Sequence, residues 1–128
     1  MLDASAVLAL VQGEPGAEPV ADLLRDAVMS TVNWAEVAAK VHGATANGSE
    51  GRAVDLRYEL CALGLRLVEF SAEQADVAGE LRRGTRELGL SLGDRACLAL
   101  GVARNETVFT ADRAWQRLRL GVVVEVIR

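Results

Sequence analysis

Four carboxylates in this chain stand at positions where a metal-dependent chemistry could be built: Asp3, Glu36, Asp94 and Asp112. Each follows a predicted strand or opens a predicted helix. Taken singly each has an ordinary explanation, because an acid in a first helical turn is stabilised by about 0.3–1 kcal/mol through the helix dipole. Ser71 with Gln74 shows the same capping spacing without an acid and is assigned no chemistry. Convergence changes the reading. In an open, mainly parallel sheet the C-terminal strand ends share one edge, and ligands bind in the crevice there. Four carboxylates gathered in that crevice repel one another and stay ionised only around a cation. Oxygen donors with no histidine nearby select Mg²⁺, or Mn²⁺ in its place. Such an ion can activate a water and stabilise the departing oxygen of a phosphodiester.

The elements that must position these acids can be read from periodicity. The stretch Leu90 to Asp112, LSLGDRACLALGVARNETVFTAD, organises the rest. Ser91 caps a helix with Asp94 in its first turn, and Ala96, Cys97, Leu98, Ala99, Leu100, Val102 and Ala103 leave that helix almost no polar face. It is therefore expected to be central. Asn105 ends it, Thr107 to Phe109 reads as a strand, and Asp112 follows where that strand runs out. Upstream, Asp3 caps an apolar helix from Ala4 to Val11, and Pro19 fits the first position of a second helix through Ala27. Val28 to Thr31 reads as a buried strand. Asn33 then caps a third helix carrying Trp34, Val37, Ala38 and Val41, with Glu36 in its first turn.

Asn47-Gly48-Ser49 breaks the chain before a fourth helix from Glu50 to Leu63. Leu65 to Phe70 is a strand, and Ser71 opens a fifth helix with Val77, Ala78, Leu81 and Leu88. A short helix around Trp115 to Leu118 and a strand from Val122 to Ile127 close the chain. Helices alternating with short apolar strands predict a single α/β domain over residues 1–128: a three-layer α/β/α sandwich on a mainly parallel, roughly five-stranded sheet.

Composition narrows the function classes. At 128 residues and 51% hydrophobic the chain can bury one core. No apolar run approaches the ~18 residues of a membrane span and no signal peptide is evident, so a soluble, cytoplasmic protein with no membrane partner is expected. Cys61 and Cys97 lie in apolar helical patterns and read as reduced core residues. The net charge is −4, but with the four acids above set aside 14 acidic residues face 14 basic ones, so a polyanionic substrate is compatible with the remaining surface.

LDASAVLAL, STVNWAEVAAK, LSLGDRACLALG and TVFTADRAW, in this order along nearly the whole chain, resemble PIN-domain ribonucleases of the VapC toxin type. The resemblance implies a PIN-like sandwich in which Asp3, Glu36, Asp94 and Asp112 hold Mg²⁺ or Mn²⁺, with Asp3 and Asp94 as the firmest ligands. Ser5 and Thr110 match polar positions lining that site. It further implies an endoribonuclease toxin, commonly a homodimer, held inactive by a cognate antitoxin lying across the acidic edge. Only Met1 and Leu2 precede Asp3, fewer apolar residues than the family usually has there.

Arg113, next to Asp112, is a candidate RNA contact, balanced against an ordinary solvent-exposed arginine. Arg82, Arg83 and Arg86 read as a solvated helix face, Trp34 as core, and the sole histidine, His42, as uninvolved. A phosphoacceptor receiver domain needs a lysine at a late strand end, whereas the one lysine is Lys40 on the third helix. A haloacid-dehalogenase phosphatase needs a second Asp at position five, where Ser5 stands. A non-catalytic PIN-like binding module is the remaining alternative, and it would be expected to have lost part of the acid set.

Overall fold

The computed structural model describes residues 1–44 and 51–128. The break at Asn47-Gly48-Ser49 and the helix start at Glu50 lie outside them. The order is α1 (Ala4–Gln12), α2 (Ala17–Leu23), β1 (Val28–Ser30), α3 (Thr31–Gly43), α4 (Arg52–Ala62), β2 (Arg66–Val68), α5 (Ala72–Thr85), α6 (Leu92–Arg104), β3 (Val108–Thr110) and β4 (Val124–Val126). Short 3₁₀ turns occupy Leu24–Asp26, Arg86–Leu88 and Arg113–Arg117. Among the described residues no helix is long and apolar enough to cross a membrane.

The strands are short and all their pairings are parallel: β1 with β2, and β3 with β4. The N-terminal segment runs between the two pairs. The Leu2 N–H donates to the Val28 carbonyl (2.9 Å), the Phe109 N–H to the Met1 carbonyl (2.8 Å) and the Asp3 N–H to the Phe109 carbonyl (3.1 Å). Met1–Asp3 forms a single bridge, Leu2 to Phe109, in place of a full strand. The roughly five-stranded sheet expected from the sequence is replaced, among the described residues, by two parallel strand pairs and this one bridge. Side chains along these segments alternate between two cores. Leu2 and Met29 join Val7, Val20, Val37 and Leu60, whereas Met1, Val28 and Val108 join Cys97, Leu98 and Trp115.

Capping chemistry sets the helix ends. Asp3, in extended conformation, accepts from the Ala6 N–H and starts α1, while Ser71 accepts from the Gln74 N–H and starts α5. A reciprocal capping box starts α6: the Ser91 side chain accepts from the Asp94 N–H and the Asp94 carboxylate from the Ser91 N–H. Asn105, at φ 51°, ends that helix in the left-handed region. As expected α6 is the most enclosed helix, with Ala96, Cys97, Leu98, Ala99 and Leu100 all buried. Gly101 admits β3 against it, because a Cβ there would lie 2.5 Å from the Val108 side chain.

Several sequence expectations need correction. Ser30, not Asn33, caps α3, accepting from the Val32 N–H, and Asn33 is 1% exposed inside the helix. Placing Asn33 as the cap mistook a buried polar tie for a terminal one. The second helix begins at Ala17 and puts Pro19 in its first turn rather than at its first position, which costs nothing because those N–H groups have no helical partner. Cys61 is exposed on α4, while Cys97 is buried, its thiol pKa pushed up by desolvation. Trp115 is 1% exposed and fills the second core. Trp34 packs partly buried against the first core, and Arg82, Arg83 and Arg86 are exposed, both as expected.

Candidate active site

The four acids arrive from four parts of the chain. Asp3 lies at the end of the N-terminal segment, Glu36 on the second turn of α3 after β1, Asp94 in the first turn of α6, and Asp112 just beyond β3. All four line one pocket of about 400 Å³, together with Ser5, Lys40 and the apolar side chains of Ala4, Leu8 and Ala39. Three of them also do the capping work that the ordinary explanation assigns to them. Asp112, for instance, accepts from the Ala114 N–H at 2.8 Å at the head of its 3₁₀ turn. Capping and convergence are therefore both present.

Asp3 is the fixed point. Its side chain is buried, with the residue 4% exposed, and it takes hydrogen bonds from the Ala6 N–H (2.8 Å), the Ser5 hydroxyl (2.8 and 2.9 Å) and the Thr110 hydroxyl (2.7 Å). Ser5 Oγ accepts in turn from the Ala111 N–H (2.8 Å), and Thr110 Oγ1 from the Asp112 N–H (3.0 Å). Two hydroxyls thus tie the start of α1 to the end of β3 and set the backbone of Asp112 against Asp3. Burial outweighs these donors and, with a smaller push from Asp94, raises the Asp3 pKa from 3.8 to about 6.

Glu36 is held by a tie that the sequence reading missed. The buried Asn33 amide donates to the Gly93 carbonyl at 3.0 Å and to Glu36 Oε2 at 3.4 Å, pinning the acid of α3 against the first turn of α6. Glycine at position 93 leaves the Glu36 carboxylate its place, because a Cβ there would overlap it and push that side chain aside. Partial burial, then the neighbouring Asp94, raises the Glu36 pKa above its usual value. Lys40, in the wrong place for the lysine of a receiver domain, lines the same pocket. The sequence did carry one signal for these residues: Asn33, Glu36 and Lys40 fall at i, i+3 and i+7, one face of a helix. Arg113 lies outside the pocket lining, and its Nε donates to the Arg128 carbonyl at 3.2 Å.

Among the described residues no group of three acidic, histidine or cysteine side chains forms a preassembled ligand set. The residues nevertheless fit a hard divalent ion by their chemistry. They offer only oxygen donors, two of the carboxylates resist ionisation where they stand, and Asp112 is an exposed carboxylate on the pocket lining.

The geometry can be set beside known proteins. The PIN domain family matches residues 1–120. No curated protein sequence matches the chain. Solved structures that share its fold include the following three. One is a toxin–antitoxin complex from Klebsiella pneumoniae, 20% identical, with a TM-score of 0.70 over 95% of this chain and 93% of that one. The second is DNA-bound VapBC from Salmonella typhimurium, 16% identical, with a TM-score of 0.73 over 100% and 97%. The third is VapBC-1 from nontypeable Haemophilus influenzae, 19% identical, with a TM-score of 0.72 over 99% and 96%. With the family match covering almost its whole length, this chain is a member of the PIN-domain family.

Proposed function

We propose that this chain is a cytoplasmic, VapC-type toxin: a divalent-metal-dependent endoribonuclease that hydrolyses RNA phosphodiesters to leave a 5′-phosphate and a 3′-hydroxyl. The observation that carries the reading is the single pocket shared by Asp3, Glu36, Asp94 and Asp112. These four would hold Mg²⁺, with Mn²⁺ able to replace it. When bound, the ion supplies a Lewis acid for the phosphate and an acidified water. The chain's own part is to hold and aim the acids. Ser5 and Thr110 fix the Asp3 carboxylate by hydrogen bonds, and Asn33 fixes Glu36. The hydrogen bonds from Met1–Asp3 to β1 and β3, with a core on either side, support reading the two strand pairs as one five-stranded sheet in a three-layer sandwich.

A cognate antitoxin is the proposed partner. The toxin–antitoxin complexes among the structural neighbours support it, as does a groove of about 1110 Å³ between α1, α2, α3 and α4. Its wall of Leu10, Val11, Leu24, Val41, Leu56, Leu60 and Leu63, edged by Asp22, Arg25 and Arg52, suits an amphipathic segment. Exposed Val54 and Tyr58 on α4 provide apolar surface in keeping with the proposed homodimer.

The test is cleavage of total RNA by the isolated protein in Mg²⁺ or EDTA, beside Asp94→Asn, whose side chain keeps an oxygen for the Ser91 cap. Cutting by the wild type in Mg²⁺ alone, lowered at least ~100-fold in the variant, is expected. Equal cutting by Asp94→Asn would remove the proposed site, and no cutting by either would favour a non-catalytic binding module.

A further inference from the structure

Among the described residues, Lys40 is the only one that lines both the acid pocket and the large groove beside it. It is the chain's single lysine and the only cationic side chain in the acid-pocket lining. It stands four residues after Glu36 on α3, and so on the same helix face, about 6 Å further along the axis. The side chain is exposed and makes no ion pair among the described residues; the neighbouring Glu36 is held by Asn33 instead.

We infer that Lys40 is a substrate-binding residue whose ammonium takes an RNA phosphate flanking the one to be cleaved, on the side of the acid pocket that Lys40 shares with the groove. This inference rests on the nuclease reading above. A polyanion approaching four carboxylates is repelled by each of them. A divalent ion offsets that repulsion at the reacting phosphate, but the flanking phosphates need a counter-charge of their own. Lys40 supplies one a helical turn away from Glu36. The other charges around the groove, among them Asp22, Arg25, Asp26 and Asp55, are of mixed sign and give no competing basic track. Arg113 points its Nε to the Arg128 carbonyl. A lysine is a point charge, so the contact would fix the position of the strand and carry no base preference.

The test uses the wild type, Lys40→Gln and Lys40→Arg with a labelled single-stranded RNA oligonucleotide. A single phosphate contact on a single strand releases ~0.7 of a counterion, which at about 0.15 M salt is roughly a fourfold change in binding. Lys40→Gln is therefore expected to raise KM about fourfold with kcat within about twofold. It should also flatten the slope of log(kcat/KM) against log[salt] by about 0.7, while Lys40→Arg restores both. The same slope is read from anisotropy of the labelled RNA bound to each protein in EDTA, which separates the two readings. Loss of metal-dependent cutting with the binding difference retained would sink the nuclease reading and leave the Lys40 contact standing. A fall in kcat with an unchanged salt slope, or a Lys40→Gln protein indistinguishable from the wild type in both assays, would overturn the contact.

Discussion

Replacing Asp3 by asparagine is expected to stabilise the metal-free protein at neutral pH and to destabilise it, relative to the wild type, once Mg²⁺ is present. The Asp3 carboxyl is buried, and its pKa rises from 3.8 to about 6 on folding. A raised folded-state pKa means that the protonated form is the one the fold prefers. Its contribution to stability is complete below about pH 3.8 and is lost as pH rises through about 6. At about 1.4 kcal/mol per tenfold change in proton affinity, the cost of holding Asp3 ionised is on the order of 3 kcal/mol. Asparagine avoids that cost and keeps an oxygen for the Ala6 N–H. Its amide nitrogen then faces the Thr110 hydroxyl, which must turn to accept, an exchange worth about 1 kcal/mol. The net gain is roughly 1–2 kcal/mol at pH 7.5, or about 4–8 °C in Tm for a domain of this size. At pH 4 the wild-type carboxyl is mostly protonated and the gain should disappear. Thermal unfolding of both proteins in EDTA at the two pH values reads this directly. In Mg²⁺ at about 100 times the dissociation constant the wild type gains about 2.7 kcal/mol, and the order reverses if the variant has lost the ligand. A variant less stable than the wild type in EDTA at both pH values would refute the reasoning, because Asp3 would then be a cap and nothing more.

Other substitutions probe the neighbours of the site. Gly93→Ala should leave stability unchanged or slightly higher, since alanine is the better helix former by about 1 kcal/mol. It should cut cleavage by at least ~10-fold, because the new Cβ displaces the Glu36 carboxylate; parallel urea melts and rate measurements check the dissociation of the two effects. Asn33→Ala leaves the Gly93 carbonyl without its donor and should cost about 1–3 kcal/mol in urea unfolding, with a loss of activity beyond that explained by unfolding. Thr110→Val, close in shape, removes the donor to Asp3 and the acceptor for the Asp112 N–H. It should weaken Mg²⁺-induced stabilisation while lowering Tm by only a few degrees. Native thiol titration should detect Cys61 alone, with Cys97 reacting only after denaturation.

The site was legible in the sequence to the extent that helix entry leaves chemical marks. Ser91 and Asp94, Asp3 before an apolar run, and the β-branched stretch ahead of Asp112 each announce a strand exit or a helix start, and the structure brings these acids to one pocket. Asn33 misled because an asparagine near a helix start has two uses. Propensity favours the cap, and only the position of Gly93 on a helix sixty residues away selects the buried tie. Cys61 and Tyr58 lie on an apolar stripe of α4 that faces outward, since periodicity identifies a stripe without saying which one the core takes. Met1–Asp3 was too short to be read as a strand, and its hydrogen bonds to both strand pairs emerge only from the pairing.

The central claim is that these carboxylates gather around divalent metal. A crystal of the protein grown with Mn²⁺ and measured at a wavelength where manganese scatters anomalously tests it most directly. The account predicts an anomalous peak in the pocket within coordination distance of Asp3 and Asp94, absent from Asp94→Asn crystals. A fully ordered pocket without such a peak at saturating Mn²⁺, or a peak bound only at some other surface, would contradict it.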